Sequence, residues 1–117
     1  MDDAWAKERE VLKKKRRDER HVLKHLPNTP QSTRLIRKEG AAHVFPDEAT
    51  MNRVAQAILE QGEKTGVVRG HERWGPRFEE PIGYRIDAAG NPLSLYYGEL
   101  KVSGEHYHVI PRTGPSH

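Results

Sequence analysis

No cysteine occurs in the sequence. Disulfides, thiolate metal sites and a cysteine nucleophile are therefore excluded, while the compartment stays open. Long apolar runs are missing too, since no stretch approaches the roughly 20 residues that cross a membrane. Residues 1–20 are charged throughout and carry no apolar h-region, so no secretory signal is predicted there. Apolar residues make up 34% of the 117, against 32% charged. That predicts one domain with a thin core. No glycine-rich phosphate loop or HExxH helix is present, and Ser103 and Ser116 lack a nucleophile-elbow setting.

What charge there is lies unevenly. The net value is +3; residues 1–25 hold nine Lys or Arg against six Asp or Glu, and residues 26–117 hold eleven of each. The excess thus sits at the N-terminus, where it favours polyanions without choosing one.

Residues 3–24 read as a helix of good formers with a sparse apolar face (Trp5, Val11, Leu12, Val22, Leu23). This predicts a basic helical arm or linker over 1–24, either a solvated connection, a nucleic-acid arm or the stub of a larger protein. Pro27 and Pro30 stop it. A short helix over Gln31–Lys38 ends at Gly40, with Leu35 and Ile36 inward. The clearest helix is Asp47–Gln61. Asp47 is its N-cap and Gly62 its C-cap, and Met51, Val54, Ala55, Ile58 and Leu59 form one face. Four strands follow, Thr65–Arg69, Arg77–Ile86, Leu93–Val102 and His106–Ile110, with His71 to Trp74 in a turn or hairpin. Short connections predict a twisted antiparallel meander under the amphipathic helix, an α+β fold. The compact domain spans 25–113, and 114–117 is a frayed tail.

Seven histidines are many for this length. His106 and His108 share a strand face. A pair like this can hold a metal, with His71 or Glu72 as third ligand, or be a tolerant surface. No further ligand spacing supports metal, so none is assigned, and no cofactor either. The third reading is acid–base cleavage of RNA through the 2′-hydroxyl. Histidine titrates near neutrality and suits both proton transfers, and arginine forks suit the phosphate. Arg69, Arg73, Arg77, Arg85, Lys101 and Arg112 surround His71, His106 and His108. The aromatics among them, including Tyr97, serve either packing or base stacking.

Three groups of residues carry a resemblance. They are Lys24-His25-Leu26-Pro27; His43-Val44-Phe45-Pro46 before the Asp47 helix; and Phe78 to Asp87 with Tyr107-His108-Val109-Ile110-Pro111. In this order they resemble the C-terminal RNase domains of bacterial polymorphic and contact-dependent growth inhibition toxins, of the barnase/EndoU/colicin/RelE-like group. The second half also resembles an uncharacterised cyanobacterial domain, through Arg-Gly-x-x-Arg and Tyr-His-Val-Ile-Pro-Arg-Thr. Roughly residues 22–113 are covered. One departure is that His106 and His108 stand where many relatives place Thr or Tyr with a lone basic residue.

The resemblance implies a metal-independent endoribonuclease acting through a 2′,3′-cyclic phosphate, neutralised by a cognate immunity protein. Its RNA would be tRNA, rRNA or mRNA. It would act in the cytoplasm of the cell it enters, delivered within a larger secreted protein and without a membrane partner. The expected catalytic set is His25, His108, Arg69 and Arg85, with Arg73, Tyr97, Lys101, Arg112 and Thr113 at the substrate. The rivals are a non-catalytic nucleic-acid-binding or antitoxin-like module, a metal-dependent nuclease and an interaction domain.

Overall fold

The computed structural model describes residues 4–117 and has an α+β architecture. Three helices, α1 (Ala6–Lys13), α2 (Pro30–Glu39) and α3 (Glu48–Gln61), accompany two sheets. The larger sheet has the order β1 (Arg16–Arg17), β8 (His106–Arg112), β7 (Tyr97–Ser103), β4 (His71–Gly75), β3 (Glu63–Val68). The smaller has β2 (Ala41–Val44), β5 (Gly83–Asp87), β6 (Pro92–Leu95).

The expected helix forms over α3. Asp47 accepts from the Thr50 amide at 2.7 Å, satisfying one orphan donor of the first turn. Met51, Val54, Ala55, Ile58 and Leu59 are buried as one stripe. The stripe lies on β7 where Gly98 has no Cβ; an added one would stand 2.7 Å from Val54 Cγ1. Trp74, Leu100, Val102 and Val109 complete this core. Four strands, β3-β4-β7-β8, run antiparallel as expected, but β4 takes the place of the predicted strand Arg77–Ile86.

The sheet region departs from expectation in three ways. The predicted strand Leu93–Val102 is two strands in two sheets, parted at Tyr96. The predicted strand from Arg77 is ordered only over β5, and the segment before it joins by single contacts such as the Arg77–Tyr97 bridge. His71–Trp74 is a strand and not a turn, because burying Trp74 completely places β4 mid-sheet. The predicted antiparallel pairing of the Arg77 and Leu93 segments survives as β5–β6, but in a separate smaller sheet whose third strand, β2, was not expected. This sheet abuts β8 at Gly83, whose missing Cβ makes room for Pro111.

The N-terminal arm is neither one helix over 3–24 nor a free linker; residues 1–3 lie outside the described residues. α1 ends at Lys13, and Arg16-Arg17 then pairs in parallel with His106-Tyr107. Two single-turn 3₁₀ segments, Glu19–His21 and Leu23–His25, follow. Leu12 and Val22 are core residues, and Trp5 packs edge-on against Trp74, centroids 6.1 Å apart. Arg9 is buried and donates to Gly62 O at 2.8 Å and to Ile58 O and Leu59 O at 3.4 Å. It thereby caps the last carbonyls of α3, which have no partner within the helix. Helix propensity loses here to pairing with β8 and to burial. The tail is also tied down, since Ser116 donates from its amide and its hydroxyl to Glu99.

Leu12→Ala should therefore cost roughly 2–5 kcal/mol, as for a core leucine. A urea denaturation midpoint unchanged in that variant would return α1 to the role of a solvated arm.

Candidate functional site

The two faces of the large sheet are sorted by strand alternation. On β7, Gly98, Leu100 and Val102 face α3, so Tyr97, Glu99, Lys101 and Ser103 face away. On β8, Tyr107 and Val109 belong to the core, and His106, His108, Ile110 and Arg112 share the opposite face with Lys101. Register then lines up Arg73, Lys101 and His108 across three strands. The expected polar, cationic sheet face is present.

The N-terminal segment completes it. After β1 the two 3₁₀ turns carry His21, Lys24 and His25 over β8. The His108 ring stacks against His21, centroids 4.4 Å apart, and lies 5.8 Å from His25 with an interplanar angle of 11°. His25 lies 2.9 Å from the carbonyl of His43 through Nδ1, and a carbonyl only accepts, so Nδ1 carries the proton. Its Nε2 is then a lone-pair nitrogen, buried and without a hydrogen-bond partner. By the same argument His43 Nδ1 donates to Pro111 O at 3.0 Å. Both rings are fixed in one tautomer by β-strand carbonyls.

Two adjoining clefts open on this face. The first, about 400 Å³, is lined by His25, His108, Lys24, Lys101, Arg85 and Arg112, with Glu39 and His43 at its walls. The second, about 360 Å³, is lined by Arg69, Arg73, Arg112 and Thr113 with the chain's last residues. His43 and Arg112 line both. Among the described residues, six cationic side chains and one carboxylate side chain, Glu39, line the pair of clefts.

Burial and this crowd of cations set the proton affinities. Burial pushes His25 down to about 4, partly opposed by its bond to the His43 carbonyl, with Lys24 adding to the depression. His108 falls further, to about 2, again first through burial, then through His21, His25, Lys24 and Lys101. Lys101 is lowered by burial and by Arg73, Arg112 and Arg69, and Lys24 by burial and Lys101. His43 is lowered by burial. The imidazoles are thus neutral at pH 7 in the unliganded protein.

Beneath the face lies Glu99, with no exposure. Arg73 donates to its Oε1 at 3.1 Å, and Arg112 Nε stands 2.9 Å from the same oxygen as an ion pair without hydrogen-bond alignment. Arg73 is buried in this knot, so its guanidinium is first a structural partner of Glu99.

Of the predicted residues, the first cleft gathers His25, His108, Arg85, Lys101 and Arg112, and the second gathers Arg69, Arg73 and Thr113. Tyr97 lines neither. It is buried under the Arg77 guanidinium, 5.9 Å from the ring centroid, with its hydroxyl against Gly75. His106 is exposed at the β7–β8 turn, and His71 donates to Val102 O. His21, Lys24, His43 and Glu99 were missed. The first two were hidden by reading their segment as an arm. His43 and His25 each precede a proline turn, the one available signal, and Glu99 had none. Among the described residues no group of three or more His, Asp or Glu is arranged to hold a metal ion, and no helix is long and apolar enough to cross a membrane.

Residues 13–116 match a family described as a domain of unknown function (DUF6972), and the chain belongs to that family. No curated protein and no solved structure matches the chain.

Histidines held neutral in the fold become protonated in the unfolded chain, whose histidines titrate near 6.5. Protons therefore favour unfolding. The stability these rings allow is complete above pH 6.5 and declines as pH falls from 6.5 toward 4 for His25 and lower for His108. Each should contribute a slope of up to about 1.4 kcal/mol per pH unit. In urea titrations between pH 7 and 4.5, His108→Gln should show a shallower decline than the parent protein. Equal slopes would mean that His108 is protonated in the fold.

Proposed function

We propose that this domain is a metal-independent endoribonuclease that cleaves through a 2′,3′-cyclic phosphate. The observation that carries the reading is the pairing of His25 and His108 in one cationic cleft, where a buried His25 ring nitrogen lacks a hydrogen-bond partner. In the proposed step His25 Nε2 takes the proton of the 2′-hydroxyl. The 2′-oxygen bonds to phosphorus, the bond to the 5′-oxygen breaks, and His108 in its protonated form delivers a proton to that oxygen. The products are a 2′,3′-cyclic phosphate and a 5′-hydroxyl.

His108 has to gain its proton as the substrate binds. A phosphodiester between Lys101, Arg112 and Arg85 offsets the cations that oppose protonation. The same guanidiniums meet the charge that grows on the pentavalent phosphate, where Arg forks bind two oxygens at once. The site's charge also supports the proposal of an immunity protein, which would need an acidic face to cover it. Action in the cytoplasm of a target cell, after delivery within a larger secreted protein, belongs to this same proposal.

The test is incubation with total bacterial RNA, with and without EDTA. Defined fragments ending in cyclic phosphate and indifferent to EDTA are expected. His25→Ala and His108→Ala, each shown folded by circular dichroism, should each lower the rate by about 10²-fold or more. Intact RNA with folded parent protein would sink the proposal, and salt-dependent retention of that RNA would make the domain a binding module. Cleavage abolished by EDTA would make it a metal-dependent nuclease.

A further inference from the structure

The second cleft is not needed for the proton transfers, yet it carries three arginines and shares His43 and Arg112 with the first. Arg112 therefore borders both spaces.

Arg69 stands out within this cleft. Val68 pairs with His71, so Arg69-Gly70 is a two-residue hairpin loop. Both loop residues have positive φ, 54° for Arg69 and 80° for Gly70, the geometry of a type I′ turn. Asn or Gly is the favoured first residue of such a turn, and a long side chain there is uncommon. The sequence breaks the local rule at the point where a guanidinium is delivered to a cationic cleft. Arg69 is exposed and among the described residues no carboxylate forms an ion pair with it, unlike Arg73, which Glu99 engages. Its charge also reaches Lys101 in the first cleft.

We propose that the second cleft is a subsite for the phosphate adjacent to the scissile one, contacted by Arg69 and Arg112, so that the substrate is a polynucleotide strand with at least two phosphates. This rests on the endoribonuclease reading for what happens in the first cleft, but the subsite is tested by binding alone. Glu99 pairs with both Arg73 and Arg112, so the charge added for this phosphate falls to Arg69.

The probes are 2′-O-methyl trinucleotides, which lack the attacking hydroxyl. One carries two phosphates, and in two others either phosphate is replaced by an uncharged methylphosphonate. The parent protein should bind the doubly charged strand several-fold more tightly than either singly charged one, with a salt slope steeper by about 0.7. Arg69→Asn should fold at least as stably as the parent, since Asn accepts the left-handed turn, and should lose the preference. Equal affinity of the parent for all three strands would overturn the subsite, as would a preference that survives in Arg69→Asn. If the preference holds but no RNA is ever cut, the subsite stands and the nuclease reading fails. If RNA is cut with no dependence on an adjacent phosphate, the subsite fails and the nuclease reading stands.

Discussion

A sheet face that gathers Arg73, Lys101 and Arg112 repels itself, and Glu99 is what allows it to fold. The carboxylate is fully buried and bonds to or pairs with Arg73, Arg112, and the amide and hydroxyl of Ser116. An isolated carboxylate at such a depth would be prohibitive, and so would the buried Arg73 guanidinium alone. Together they compensate each other's charge, although Arg73 Nε stays without a hydrogen-bond partner. Their pairing leaves Lys101, Arg69 and Arg85 as cations with no such buried counter-charge. The same carboxylate ties the C-terminal residues down and thereby builds one wall of the second cleft.

The other half of the site depends on where the N-terminus goes. Parallel pairing of Arg16-Arg17 with the start of β8 fixes the chain one strand from His108, and the two 3₁₀ turns that follow have little freedom left. Asp18, buried, accepts from the Arg20 amide and side chain and so holds the first of these turns. That partnership keeps its carboxyl well below the usual carboxylate range. At the far end Arg9 seals α3 and Leu12 enters the core. The histidine stack is thus assembled from both ends of the chain. Its geometry rests on long-range contacts that no local pattern encodes.

This division explains what could be read from the residues. Helix α3 was legible because cap, apolar spacing and closing glycine agree with one another, which is the condition for a local signal to survive tertiary context. Strand alternation made the face of His108 legible and register brings Lys101 beside it, whereas Arg112 joins them only because β8 runs through Pro111, past the predicted end at Ile110. The N-terminal segment misled because Ala, Glu, Lys and Arg favour helix whether or not a strand edge awaits them. Strand β4 was hidden because Arg73 looks like a surface residue until Glu99 is known to lie opposite. Tyr97 lies on the face of Glu99 and Lys101 by alternation, but its packing against Gly75 covers it and keeps it out of both clefts. The break at Tyr96 was invisible because both halves of that run have strand-like residues, and what separates them is which sheet each one joins.

The charge of the clefts and the neutrality of the histidines are one property seen twice. Cations and burial oppose protonation of His25 and His108, so any anion that enters must ease it, and linkage makes the effect reciprocal. Anion binding should take up protons, and lower pH should favour anion binding. If the site works on RNA as proposed, this coupling withholds the acid form of His108 until a phosphate is in place, and the unliganded domain keeps His25 and His108 uncharged. A domain that merely bound polyanions would need only the cations. Burying His25 and His108 beside them adds nothing to attraction, which supports the proposed proton-moving chemistry over adhesion alone.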